Sequence, residues 1–305
     1  MNRKRLSDYG IRVGCMPTGP LDKITDVPGV TVGHATVRDA RHHTGVTVIM
    51  PCEDNMFAKK LTAASFVLNG FGKTAGLVQV DELGTLETPI ALTNTLNVGL
   101  VHDALVTVMA ERCAADHVAM HSINPVVGEC NDSQLNAIVD RPIHEAHVRE
   151  AIAGACRDFD EGDVGAGAGT VCHGLKGGIG SASRVVELDG KTYVVGVLVQ
   201  SNFGKTKHFV LDGKPMGELL SGKIEEARKD EGSIMMVVGT DLPVSDRQLK
   251  RIIRRAGVGL SRCGSFMGHG SGDIMLGFST GNVYRKEEDR AVIPAAVMNE
   301  AMLDD

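Results

Sequence analysis

The sequence contains no tryptophan and few other aromatic residues, 4% in all, so recognition by ring stacking is not what the chain is built for. Its 37 glycines point instead to tight turns and close backbone approach. An excess of positive charge is also missing. A net charge of −6 and a pI near 6.0 argue against a nucleic-acid or anionic-membrane surface, each of which needs a basic patch. Small molecules or peptides are the expected partners. No run approaches the ~18 apolar residues of a membrane span, and no apolar segment follows the polar stretch Met1–Gly10. Cysteine pairs are lacking too. The seven cysteines, at 15, 52, 113, 130, 156, 172 and 263, never form C-x-x-C, so neither a zinc ribbon nor a disulfide framework is indicated. They read as buried thiols in a reducing compartment, and the expected location is cytoplasmic.

Strand and helix patterns are mixed along all 305 residues, with no Pro/Ser linker and no repeat, which favours a layered α/β architecture. Ile24–Val32 and Gly45–Met50 read as short strands, Asn94–Ala114 as a helix, and His117–Val127 as a return to strand. Pro142–Asp158 reads as a surface helix and Glu161–Ser183 as a glycine-dense stretch. Thr192–Gln200 (TYVVGVLVQ) is the strongest strand pattern of all. Met216–Lys229 is compatible with a helix ending in a charged run. Ser245 then caps a helix with Gly257 at its end, Ile274–Thr280 reads as a strand, and Ala291–Leu303 as a closing helix.

Several motif fragments fail on spacing. Gly72-Lys73-Thr74 and Gly204-Lys205-Thr206 resemble the end of a phosphate-binding loop, but the glycine required five residues earlier is valine at both 67 and 199. Gly165-Ala166-Gly167-Ala168-Gly169 follows charged residues and not a clear strand, so it reads as a loop wall. His117 with His121, and His144 with His147, lack the H-E-x-x-H pattern. No metal and no cofactor is required by any residue set.

What remains is polar residues at strand ends. Ser233 opens the apolar run Ser233–Gly239, directly after Gly232 and the charged KIEEARKDE. Asn202 stands just beyond the strand ending at Gln200. Ser271 and Asp273 sit in Gly268-His269-Gly270-Ser271-Gly272-Asp273, before Ile274. Each alone is an ordinary turn or cap residue. Together they supply a nucleophile, an oxyanion donor, a hydroxyl relay and a carboxylate, the inventory of an acyl-transfer site.

These residues lie in ordered motifs. NGFGKTAGL (69–77), TPIALTNTLNVG (88–99), VVGECNDSQLN (126–136), GAGAGTVCHGLKGGIGSASR (165–184), VLVQSNFG (197–204), GSIMMVVGTDLPV (232–244) and GHGSGDIMLGFST (268–280) span most of the chain. Through them it resembles the DmpA-type aminopeptidases: the L-aminopeptidase/D-amino-acid esterases, β-aminopeptidases and nylon-oligomer hydrolases. The resemblance implies a single four-layer αββα sandwich of the type shared with ornithine acetyltransferases. It implies self-cleavage at Gly232-Ser233, giving an α chain 1–232 and a β chain 233–305, and a homotetramer of the cut unit. It places the nucleophile at Ser233, an oxyanion contact at Asn202, and a supporting hydroxyl and carboxylate at Ser271 and Asp273. The implied activity is release of N-terminal L-, D- or β-amino acids from short peptides, amides or esters through an acyl-enzyme. Glu129 is the candidate anchor for the substrate ammonium.

The chain departs from the family pattern at three positions. Gln134 stands where an aromatic residue is usual, which bears on substrate preference. Lys73 replaces an expected glutamate, and Asp273 a glutamate of some members. Gln134 leaves room for a relative that binds without hydrolysing, and the resemblance to the fold's acetyl-transferring relatives for an acyl transferase.

Overall fold

The computed structural model describes residues 4–223, 232–285 and 291–303. Two β-sheets form the middle of the molecule. The first has four strands: β1 (Thr31–Arg38), β2 (His43–Met50), β5 (Ile90–Asn94) and β6 (Val126–Cys130), in the order β1-β2-β5-β6. The second has six, in the order β4-β3-β12-β11-β10-β9. They are β3 (Lys59–Gly70), β4 (Thr85–Leu86), β9 (Gly178–Leu188), β10 (Lys191–Asn202), β11 (Ser233–Thr240) and β12 (Gly272–Arg285). β7 (Val171–Cys172) and β8 (Leu175–Lys176) form a separate small ribbon.

The alternation of side chains along these strands builds three cores. On β11, Met235 and Val237 point toward the first sheet, where they join Ile49, Ile90, Leu92 and Val126 in the largest buried cluster. Ile234, Met236 and Val238 point the other way, onto α5 (Asp246–Ile253) and α6 (Ala256–Arg262), through Leu249, Ile253 and Leu260. The outer face of the first sheet, with Val46, Val48, Ala91 and Val127, is covered by α2 (Val98–Ala115) and α3 (Glu145–Ala153) through Val101, Leu105, Val148 and Ala151. The layers therefore run helix, sheet, sheet, helix, as the αββα expectation requires. α1 (Leu77–Leu83) and α4 (Met216–Leu220) are short connections. Among the described residues no helix is long and apolar enough to cross a membrane.

Several segments differ from their sequence patterns for local reasons. Ile24–Asp26 is a 3-10 turn, and strand begins only at Thr31. The Asp26 carboxylate accepts from the N–H groups of Leu21 and Lys23, at 3.1–3.2 Å, and so holds the chain in a turn. His117–Pro125 is loop, entered through His117 in the left-handed region at φ 56°, and strand resumes at Val126. The helix capped by Ser245 divides at residues 254–255, leaving Gly257 inside α6 and not at a helix end. Residues 291–299 are not helical, and only Glu300–Leu303 forms a 3-10 turn. Their backbone groups are taken by side chains: Asn282 brackets Ala296 with bonds of 2.8 and 3.0 Å, and Gln248 donates to Met298 O at 2.7 Å. The run read as a helix over Met216–Lys229 is helical to Leu220; 224–229 lie outside the described residues.

Candidate active site

Strand order alone brings the candidate residues together. β10 and β11 are antiparallel with Asn202 opposite Ser233, while β11 and β12 are parallel with Ser233 opposite Gly272. Asn202, Ser233 and the Ser271-Gly272-Asp273 turn therefore share one end of three adjacent strands. All of these side chains are buried, Ser233 at 3% exposure and Asp273 at 0%. The Ser233 hydroxyl is therefore not turned to solvent.

The polar geometry converges on Ser233. Its Oγ accepts from Asn202 Nδ2 and from the Asn131 N–H, both at 3.3 Å. The orientation of the Asn202 amide is fixed independently, because its Oδ1 accepts from the Val171 N–H at 3.0 Å and so turns the NH2 toward Ser233. Ser271 Oγ donates to Asp273 Oδ1 at 2.9 Å. The Gly272 N–H donates to the carbonyl oxygen of Gly232 at 3.3 Å, so the peptide preceding Ser233 already has one backbone donor on its oxygen. A side chain at 232 has no room: a Cβ there would stand 2.8 Å from Phe203 Cα and 2.9 Å from Asn202 O.

The second side of the site comes from β6 of the other sheet. Glu129 is a buried strand residue and not a solvated turn acid. Its Oε1 accepts from the Lys73 N–H at 3.0 Å, and its Oε2 accepts from the Thr95 hydroxyl. Cys130, next along, is fully buried beside Ser233 and donates to Gln200 O at 3.4 Å; burial pushes its thiol pKa well up, so it stays protonated. Asp132 is also buried, and desolvation holds its carboxyl above the usual carboxylate range. The hydrogen bond from Asn136 Nδ2, at 2.9 Å, opposes that shift. Gln134 lies on an exposed turn just beyond Asp132.

The structure thus draws Ser233, Asn202, Asp273, Ser271 and Glu129 toward one place, and leaves Gln134 at its margin. Four contributors escaped the sequence: the N–H groups of Gly272 and Asn131, Thr95, and Asn69, whose Nδ2 holds the turn before Ser271 through Gly268 O at 2.7 Å and Met267 O at 3.2 Å. Backbone donors leave no residue-type signature, but Thr95 and Asn69 both lie inside motifs quoted above. No group of His, Cys, Asp and Glu able to hold a metal ion occurs among the described residues.

Comparison with known proteins bears on this geometry. The chain is 38% identical over 304 residues to the β-peptidyl aminopeptidase BapA of Sphingosinicella microcystinivorans, covering 91% of this chain and 75% of that one. It superimposes on a β-aminopeptidase of Burkholderia sp. with a TM-score of 0.92 at 38% identity, covering 99% of this chain and 86% of the other. The L-aminopeptidase/D-Ala-esterase/amidase of Ochrobactrum anthropi, described as a prototype serine aminopeptidase with a variant of the Ntn hydrolase fold, matches with a TM-score of 0.92 at 35% identity. That match covers 99% of this chain and 85% of that one. A family model, peptidase family S58, matches residues 22–305. With that model spanning nearly the whole chain, and with this fold, the chain is a hydrolase of the aminopeptidase type and belongs to peptidase family S58.

Proposed function

We propose that Ser233 is both the site of self-cleavage and the nucleophile of the mature aminopeptidase, acting within a single αββα domain cut into chains 1–232 and 233–305. The observation that carries this reading is the placing of Ser233 Oγ within reach of Asn202 Nδ2, with the Gly272 N–H on the oxygen of the preceding Gly232 carbonyl. In the uncut chain the Ser233 hydroxyl attacks the Gly232 carbon and the C–N bond breaks. The acyl group passes to Oγ, the nitrogen takes a proton to become the α-amine, and water then hydrolyses the ester. The Gly272 N–H carries the oxyanion of this step. The absence of a Cβ at Gly232 keeps the carbonyl open to attack.

In the mature enzyme the freed α-amine of Ser233, whose reference pKa is ~7.7–8.0, takes the hydroxyl proton as Oγ attacks a substrate carbonyl. It returns that proton to the leaving amine. Asn202 donates to the tetrahedral oxyanion, and the Ser271–Asp273 pair orients the amine and hydroxyl. Glu129, with both oxygens held by Lys73 N and Thr95, receives the substrate's ammonium. The substrates are short peptides, amides or esters with a free N-terminal amine, including the β-amino-acid derivatives that the relatives' names specify. The working unit is a cytoplasmic homotetramer of the cut chains, which sedimentation of the purified protein tests directly.

The decisive experiment is intact mass spectrometry. Wild type resolves into two fragments meeting at Gly232/Ser233, and Ser233→Ala remains one chain without aminopeptidase activity. An uncut wild type that hydrolyses aminoacyl p-nitroanilides defeats the assignment.

A further inference from the structure

Residues 71–73 cross from the strand end carrying Ser271 to the carboxylate of Glu129. The Phe71 N–H donates to Ser271 O at 3.3 Å, and the Lys73 N–H donates to Glu129 Oε1 at 3.0 Å. Gly72 fits between the two sheets: a Cβ there would lie 3.0 Å from Ile274 Cδ1, 3.7 Å from Glu129 Oε1 and 3.8 Å from Gly272 Cα. Lys73 is consequently tied by its backbone to the group assigned to the substrate amine, while its side chain is exposed.

The ammonium of Lys73 is held in one direction. It stands 4.2 Å from the centroid of the Phe71 ring, itself 58% exposed, in a cation–π contact. Among the described residues no carboxylate forms an ion pair with it, whereas Lys23, Lys59, Lys60 and Lys250 are paired with Asp158, Asp54, Glu87 and Asp81. An aromatic face restrains a cation without neutralising it. Glu129, buried with both oxygens held, and the exposed Lys73 are thus neighbours through the Lys73 N–H, and among the described residues the Lys73 ammonium has no carboxylate partner. A group that carries an ammonium and, on the same carbon or up to two carbons away, a carboxylate complements that pair.

We infer that Lys73 is a specificity-determining residue that favours substrates whose N-terminal residue bears a carboxylate, such as glutamyl, aspartyl or β-linked aspartyl derivatives, and disfavours basic ones. The inference rests on the aminopeptidase reading and on Glu129 receiving the ammonium. A substrate with its amine on Glu129 and its carbonyl carbon at Ser233 would pass the 71–73 segment, which bonds through its backbone to both Glu129 and Ser271, and so would bring the substituents of the intervening carbons near Lys73. A carboxylate there gains an ion pair; a second ammonium meets like charge.

The test is steady-state hydrolysis of L-glutamyl-, L-alanyl- and L-lysyl-p-nitroanilide by wild type, Lys73→Met and Lys73→Glu at low and high NaCl. The ratio of kcat/KM for glutamyl over lysyl substrate falls about fivefold in Lys73→Met, the upper range for one partly exposed charge pair. It falls further in Lys73→Glu, with the change in KM, and the difference between proteins shrinks as salt screens it. A Lys73→Glu ratio within about twofold of wild type overturns the inference while the alanyl activity leaves the aminopeptidase reading intact. A wild type inactive on all three and on the D-alanyl and β-alanyl p-nitroanilides as well overturns both.

Discussion

β10, β11 and β12 carry buried polar residues at both ends, and the two ends are built differently. At the far end Thr240 Oγ1 donates to Val194 O at 2.8 Å and Ser279 Oγ donates to Leu242 O at 2.5 Å. The N–H groups of Leu242 and Gly281 return to these same hydroxyls at 3.1 and 3.0 Å. Asp241 is closed by the Val194 N–H at 2.7 Å. Each side chain there repairs a backbone group that the sheet leaves unpaired as its strands end. At the near end Ser233 Oγ receives two long contacts of 3.3 Å, one from a side-chain amide and one from a loop N–H. Residue type and burial are alike at the two ends, Ser279 being as buried as Asp273. What distinguishes the two ends is that the far-end hydroxyls are saturated by backbone groups, whereas the Ser233 hydroxyl is held by long contacts from a side-chain amide and a loop N–H.

The largest effect that sharpens this contrast is at Asn202. The proposed oxyanion role predicts that Asn202→Ala lowers kcat by about 10²-fold in whatever fraction matures. A rate equal to wild type removes Asn202 from that role and makes the near end a second structural cap.

How much of this contrast was legible beforehand depended on what each residue leaves in the sequence. The apolar runs of β10 and β11 fix their own identity, and a serine opening such a run is conspicuous. Asn202, Ser271 and Asp273 stood out because they border strands at glycine-rich turns. The far-end residues Thr240 and Ser279 look no different as letters; only their partners distinguish them, and those partners are backbone atoms of Val194 and Leu242. The same limit hid the Gly272 and Asn131 N–H groups. Residues 291–299 depart from their helix-compatible apolar spacing because the decisive bonds come from Asn282 and Gln248, distant in sequence. Glu129 gained most from the structure: it is a buried member of β6, held by Thr95 and Lys73.

The converse perturbation is Ser279→Ala at the far end. It strips the Leu242 carbonyl of its buried donor and the Gly281 N–H of its acceptor, a loss of about 1–2 kcal/mol measured by urea denaturation. Cleavage at Gly232-Ser233 and the rate of hydrolysis stay at wild-type values. If Ser279→Ala instead blocks maturation while its urea midpoint holds, the division between the two ends is wrong.

The smallest effect concerns what the near end costs the fold. Asp132 adjoins Asn131, and burial raises its carboxyl pKa above the unfolded value near 3.8. Between those two pKa values the native state binds more proton than the unfolded chain, so stability from this group is full at low pH and declines as pH rises through the folded pKa. Asp132→Asn keeps the shape and a hydrogen-bonding carbonyl for Asn136 but cannot ionise. The stability of wild type relative to this variant is therefore greater at pH 4 than at pH 7, as read from urea midpoints of the two proteins at each pH. A difference that grows toward pH 7 would mean that the ionised carboxylate is the form the fold prefers. The loop carrying Asn131 to Ser233 would then owe its position to charge, and the loosely held near end would be as fully satisfied as the far one.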